Sequence, residues 1–193
     1  MLRKYIFGFP PAITSLVVLI FGIISITRKP PKLLYRVFAG FCLTVSIWAF
    51  FYSLLYLNDP IYALRLARLG YIAIVFIPAF AFHFTLLFVE IDLKPYVVLA
   101  YILSFVFLPI SQTSYFLSGA KVFFWGPYPI AGPLYIYFVI FFVIAFLSCV
   151  AFLFYSFRHK DSNTPIKYNQ TKFLFLAFAI ASTSIVDYIP TTV

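Results

Sequence analysis

The chain has 193 residues, of which 64% are hydrophobic, 23% aromatic and only 10% charged, whereas a soluble domain carries about 45–50% apolar and about 25% charged residues. That composition excludes an ordinary soluble domain and leaves no room for one beside the apolar blocks. The net charge of +9 is carried by lysines and arginines at the edges of those blocks, which excludes a basic nucleic-acid stripe and makes lipid headgroups and membrane orientation their role.

Each block is long enough to cross about 30 Å of hydrocarbon as ~20 helical residues. A barrel would need short alternating segments instead, and helices satisfy every backbone polar group within one segment. The expected fold is therefore all-α, a polytopic membrane helix bundle forming one domain over residues 1–193. The first span, 7–27, follows Met1-Leu2-Arg3-Lys4. It outruns the ~7–15-residue apolar core of a secretory leader and lacks a small-residue cleavage site, so it is expected to be retained. The seam RKPPK (28–32) leads to span two, 33–57, and Asn58-Asp59-Pro60 marks the next turn.

Span three, 67–89, is entered through Arg65 and Arg68, contains Pro78 and His83, and ends at Glu90. The two arginines are three apart and share a helix face. Pro78 removes a backbone donor and predicts a kink. His83 is an intramembrane ionisable residue, which makes it a sensing candidate; a neutral histidine bonded to a neighbouring hydroxyl or carbonyl is the competing, structural reading. Span four, 96–116, follows EIDLKP (90–95). After it comes the seam SGAKVFFWGPYPIAGP (118–133). Its aromatics, Phe123, Phe124, Trp125 and Tyr128, either wall an external cavity or form a belt at headgroup level. Span five is 134–157, the basic seam RHKDSNTPIKYNQTK covers 158–172, and span six is 173–189 with Asp187 near its end. Equal depth would let Asp187 pair with Arg68, lowering the cost of burying either charge; otherwise Asp187 is a wet helix end and both arginines snorkel.

Nine of the lysines and arginines lie in the first, third and fifth seams and five on the other side, so the N-terminus is expected outside and those seams in the cytoplasm. With six spans the C-terminus would also face outside, and a seventh span is expected to be missing. Cys42 and Cys149 each sit inside a span as small hydrophobes. No catalytic or metal motif occurs, the acidic residues are dispersed, and no cofactor is implied.

Four stretches together, Arg-Leu-Ala-Arg-Leu-Gly-Tyr (65–71), Ile-Pro-Ala-Phe-Ala-Phe-His-Phe (77–84), Gly-Pro-Leu-Tyr (132–135) and Tyr-Asn-Gln-Thr-Lys-Phe-Leu-Phe (168–175) with Asp-Tyr-Ile-Pro (187–190), resemble the N-terminal seven-transmembrane sensor region of bacterial histidine kinases. The resemblance implies a multi-pass protein of the cytoplasmic (inner) membrane that acts as a signal-input module without catalytic residues of its own. It also implies dimerisation, and a kinase or other output domain in a longer chain or a separate protein. On that reading Arg65, Arg68, Trp125 and Asp187 form the external sensing side, and Pro78 and His83 the flexible interior. The alternative is a small transporter or channel component, which needs a polar path beyond His83, Asp187 and Ser182-Thr183-Ser184. An intramembrane enzyme lacks a nucleophile–base pair.

Overall fold

The computed structural model describes residues 2–30, 32–159 and 165–183. Its elements, in order, are α1 (Leu2–Ile26), α2 (Leu33–Leu57), a 3-10 turn (Pro60–Tyr62), α3 (Ala63–Ile74), α4 (Ile77–Val89), α5 (Lys94–Ile110), β1 (Leu117–Phe123), β2 (Gly126–Ala131), α6 (Tyr135–His159) and α7 (Pro165–Thr183). Among the described residues, four helical segments are long and apolar enough to cross a membrane: Lys4–Ile26, Leu33–Leu57, Pro60–Val89 and Tyr135–Arg158. Lys94–Ile110 is a shorter apolar helix.

The segment Pro60–Val89 is the centre of the bundle, with 61% of its most apolar window buried against 17% for Lys4–Ile26. α1 instead turns most of its apolar surface outward and packs on α2. The two run antiparallel: Lys4 Nζ donates to the Asn58 carbonyl at 3.3 Å at one end, and Ser25 Oγ donates to the Tyr35 carbonyl at 3.2 Å at the other. Midway, Ser15 Oγ donates to the Ser46 carbonyl and Ser46 Oγ to the Ser15 carbonyl, both at 2.9 Å. Small side chains let the backbones approach closely enough for this exchange.

The central segment is interrupted at Val75–Phe76. Pro78 stands in the first turn of α4 and has no N–H to donate to the Ile74 carbonyl. The chain tightens there, with Phe76 N–H bonded to the Ala73 carbonyl at 3.1 Å in place of a regular helical bond. α4 ends at Glu90, a left-handed residue with φ 59°.

α1 starts at Leu2 rather than 7 and α3 at Ala63 rather than 67, and three larger differences from the sequence expectation follow. α5 stops at Ile110 rather than near 116, its last regular bond running from Ser111 N–H to the Phe107 carbonyl at 2.8 Å. The chain then turns through Gln112 N–H to the Pro109 carbonyl and Thr113 N–H to the Ile110 carbonyl. The seam 118–133 folds as an antiparallel hairpin with Phe123 opposite Gly126 and only Phe124-Trp125 between the strands. α7 begins at Pro165 rather than 173, so part of the basic seam is helical. A proline in the first turn suits that start because its missing N–H is not needed there. Lys167 Nζ meets Glu90 Oε1 at 2.6 Å, which places the start of α7 beside the end of α4. Asp187 lies outside the described residues.

Candidate functional site

At the end of the bundle opposite that ion pair, the hairpin is rooted in a dense aromatic layer. Phe116 and Phe138 are fully buried, Tyr71 is 1% exposed and Tyr135 2%. Tyr71 meets the other three rings edge to face, the arrangement that the ring quadrupoles prefer, and the Tyr71 and Tyr135 hydroxyls lie 2.9 Å apart in a hydrogen bond. Gly132 donates its N–H to the Phe116 carbonyl at 2.8 Å. A Cβ at Gly132 would overlap the Tyr115 carbonyl, so only glycine admits this closure.

Two polar side chains bind the hairpin root to α3. Arg68 Nη2 donates to the Leu117 carbonyl at 3.0 Å, and Gln112 Nε2 donates to the Arg68 carbonyl at 2.9 Å. The β-strands survive the prolines Pro127 and Pro129 because these are two apart and pair with Val122 and Ala120. Residues so spaced face the same edge, and on the outer edge of a two-stranded ribbon no N–H is required.

The tip of this hairpin borders an open-sided cavity of about 710 Å³. Phe124, Trp125 and Tyr128 line it from the hairpin, while Phe123 stacks on Trp125 with centroids 4.8 Å apart and is not part of the wall. The longest wall belongs to α2, where Phe41, Val45, Trp48, Tyr52 and Tyr56 follow one another at helical spacing. Phe7 and Pro11 of α1, Phe142 and Phe146 of α6, and Ala181 of α7 complete the sides. Tyr71 and Ile74 of α3 and Ile77 of α4 also face it, so the cavity touches the central segment on both sides of its interruption. None of the described lining residues is charged. Trp48 Nε1 is buried and has no hydrogen-bond partner among the described residues.

The sequence-chosen residues fall into separate places. Trp125 is in the cavity wall. Arg68 stands behind it as the hairpin's anchor, its Nε buried without a partner among the described residues. Arg65 is exposed and lines, with Arg68 and Gln112, a second, shallower pocket of about 460 Å³. His83 lies on α4, where its Nδ1 is 3.2 Å from the Tyr101 hydroxyl of α5, and it does not line the cavity. Pro78 follows the interruption beside the wall. No group of side chains among the described residues is placed to hold a metal.

Sequence reasoning missed Trp48, Tyr52 and Tyr56. Their spacing with Phe41 and Val45 was the available signal, hidden because α2 is apolar on nearly every face. Gln112 was missed as well, lying inside an expected span.

A helical bundle with membrane-length segments, a cavity at one end whose described lining is aromatic and uncharged, and a helix interruption beside it is a multi-pass membrane protein. Over residues 10–192 the chain matches the family described as the N-terminal 7TM region of histidine kinase. It belongs to that family, and is thus a membrane-embedded sensor region of signal-transducing kinases. No curated protein and no solved structure matches it.

Proposed function

We propose that this chain is the signal-input module of a histidine-kinase-type protein of the cytoplasmic membrane. In this reading its helical segments make six passes, with the N-terminus and the hairpin outside, and a seventh pass leads to a cytoplasmic output domain in a longer chain or a separate protein. The module works as a homodimer. The observation that carries the reading is the position of the cavity across the Val75–Phe76 interruption. An occupant touching Tyr71 and Ile74 on one side and Ile77 on the other stabilises one bend of the central segment over another. Such a ligand moves the equilibrium only by its difference in affinity for the two bends.

Arg68, by holding the hairpin root, sets where the hairpin borders the chamber, and Asp187 is its proposed partner at the same depth. Reversing either charge alone should lower folded yield; recovery in the double reversal supports the pair, and no recovery removes it. His83 and Tyr101 tie α4 to α5, so motion of α4 is passed to its neighbour. The test of the whole reading is Pro78→Ala in the full-length natural protein in proteoliposomes. Restoring the donor to the Ile74 carbonyl straightens the segment, and autophosphorylation should change by at least about threefold, the effect of a shift of roughly 0.6 kcal/mol. Unchanged output with a demonstrably folded variant would refute it.

A further inference from the structure

The shallow groove at the start of α3 is built from one helix face. Ile61, Leu64, Arg65, Arg68 and Leu69 follow one another along it at helical spacing, and Gln112 faces them from the turn after α5. Two of these side chains are held in place. Arg68 Nη2 donates to the Leu117 carbonyl at 3.0 Å, so this arginine does not simply snorkel, and Gln112 Nε2 donates to the Arg68 carbonyl and to Ser111 Oγ, both at 2.9 Å. Gln112 thereby spends both amide protons and shapes the wall, while Arg65 and Arg68, three apart on one face, supply its charge. Asp59, the acidic residue nearest in sequence, accepts from the Ile61 N–H as a cap and is not part of the wall.

Depth decides what those charges meet. Pro60 opens the membrane-length path Pro60–Val89, and at about 1.5 Å per residue Arg65 lies about 8 Å and Arg68 about 12 Å along it. The headgroup layer is about 5–7 Å deep on each side of the hydrocarbon, which puts Arg65 within it and Arg68 at its inner margin. Tyr62 and Tyr115, exposed at the same end of the bundle, are aromatics of the kind that sit at that level. Planar guanidinium forks match the oxygens of a phosphate, and Ile61, Leu64 and Leu69 give an attached apolar chain a surface to lie on. Arg68 is half-buried, and a charge there interacts more strongly with a neighbouring anion than it would in open water.

We propose that the groove formed by α3 and the turn after α5 is a binding site for a phosphate group, contacted by Arg65 and Arg68. The phosphodiester of an anionic phospholipid and free phosphate present the same chemistry to it. A guanidinium offers five N–H donors, and Arg68 spends one on Leu117, so the Asp187 contact proposed above and a phosphate oxygen can both be served. Because Arg68 also holds the hairpin root, occupancy of the groove fixes that root to the membrane surface. The site does not depend on the chain being an input module.

The test titrates the 193-residue chain in dodecyl maltoside by calorimetry with dioleoyl phosphatidylglycerol, with dioleoylglycerol, which lacks the phosphate, and with inorganic phosphate. The expected result is saturable binding of the phosphate-bearing ligand, at least about tenfold tighter than that of dioleoylglycerol and weakened at least about fivefold in Arg65→Gln. Lys121→Gln, which removes an exposed cation of the hairpin, should change it by less than about twofold. Arg68→Gln should weaken binding as well; if that variant does not fold once the hairpin root is released, Arg65→Gln alone carries the comparison. Phosphatidylglycerol binding without a response to inorganic phosphate identifies the headgroup as the source, and saturable binding of inorganic phosphate identifies the free anion. No saturable binding of either overturns the proposal. Equal affinity for dioleoylglycerol, affinity that ignores Arg65→Gln, or an equal loss in Lys121→Gln, the mark of diffuse surface charge, overturns it too.

Discussion

Gly126 controls how the hairpin meets the chamber, and its replacement by alanine is the sharpest local perturbation available. Its φ of +139° lies where residues with a Cβ are strained by about 1–3 kcal/mol. The new Cβ would also stand 2.8 Å from Tyr56 Cδ1 and 3.1 Å from Cε1, against an optimum of about 3.5–4.0 Å between carbons. The ring must therefore retreat by several tenths of an ångström or more inside a packed wall, adding of order 1 kcal/mol. Together the two effects come to about 2–4 kcal/mol. An isolated two-stranded ribbon is only marginally stable, so the strain should be released by lifting the tip rather than by unfolding the bundle. In a Trp48→Phe background, the emission maximum of Trp125 should move to longer wavelength in Gly126→Ala while the helical melting midpoint stays nearly constant. Adding Tyr56→Leu removes the contact but not the backbone strain, and should return only part of the shift. Unaltered Trp125 emission in a folded Gly126→Ala variant would refute the view that this glycine seats the tip.

Arg68→Ala should produce a similar emission change from the other end of the hairpin. Losing its bond to the Leu117 carbonyl removes roughly 1.5–3 kcal/mol of a charge-assisted interaction; Arg68→Ala with unchanged Trp125 emission would show that the root is held by packing alone. In the Ser15–Ser46 exchange each hydroxyl reaches the opposite backbone carbonyl, and the two oxygens also lie 3.1 Å apart, where either could donate. Ser15→Ala and Ser46→Ala should each cost about 0.6–1.7 kcal/mol in detergent unfolding and add nearly fully in the double variant; a double cost equal to one single cost would mean the hydroxyls bond each other. Asp92, in the exposed loop between α4 and α5, has its carboxyl held below the ordinary 3.8 by a hydrogen bond from Lys94. Its small contribution to folding is present above 3.8 and disappears as pH falls through the lower folded value. A carboxyl NMR titration should show this depression, and Lys94→Ala should abolish it.

The long apolar blocks were readable because hydrocarbon thickness dictates their length, and α2 begins and ends at 33 and 57 as the seams required. The interruption between α3 and α4 falls where Pro78 deprives the Ile74 carbonyl of its donor. The hairpin was not readable. Phe124-Trp125 is not a turn-forming pair of the Asn-Gly kind, and prolines at 127 and 129 argue against a strand until it is known that the ribbon has free edges. The helical stretch ahead of residue 173 was obscured by its lysines, which suit a helix start lying beside Glu90. Arg68 read as half of an ion pair; its bond to the Leu117 carbonyl depends on a loop returning from 49 residues further along the chain, which local spacing cannot reveal. The chamber required side chains from six helices and the hairpin, and only the hairpin's share was marked by composition.

The bend at Val75–Phe76 has a consequence for the membrane itself. The interrupted helical path Pro60–Val89 has 30 residues; at about 1.5 Å per residue a straight version would be about 45 Å long, well beyond the roughly 30 Å of hydrocarbon it has to cross. The surplus has to be taken up by tilt, by protrusion or by folding at the weak point. Bilayer thickness thus acts as a load on this one segment, and a thinner or thicker lipid mixture changes the angle at which its two halves can rest.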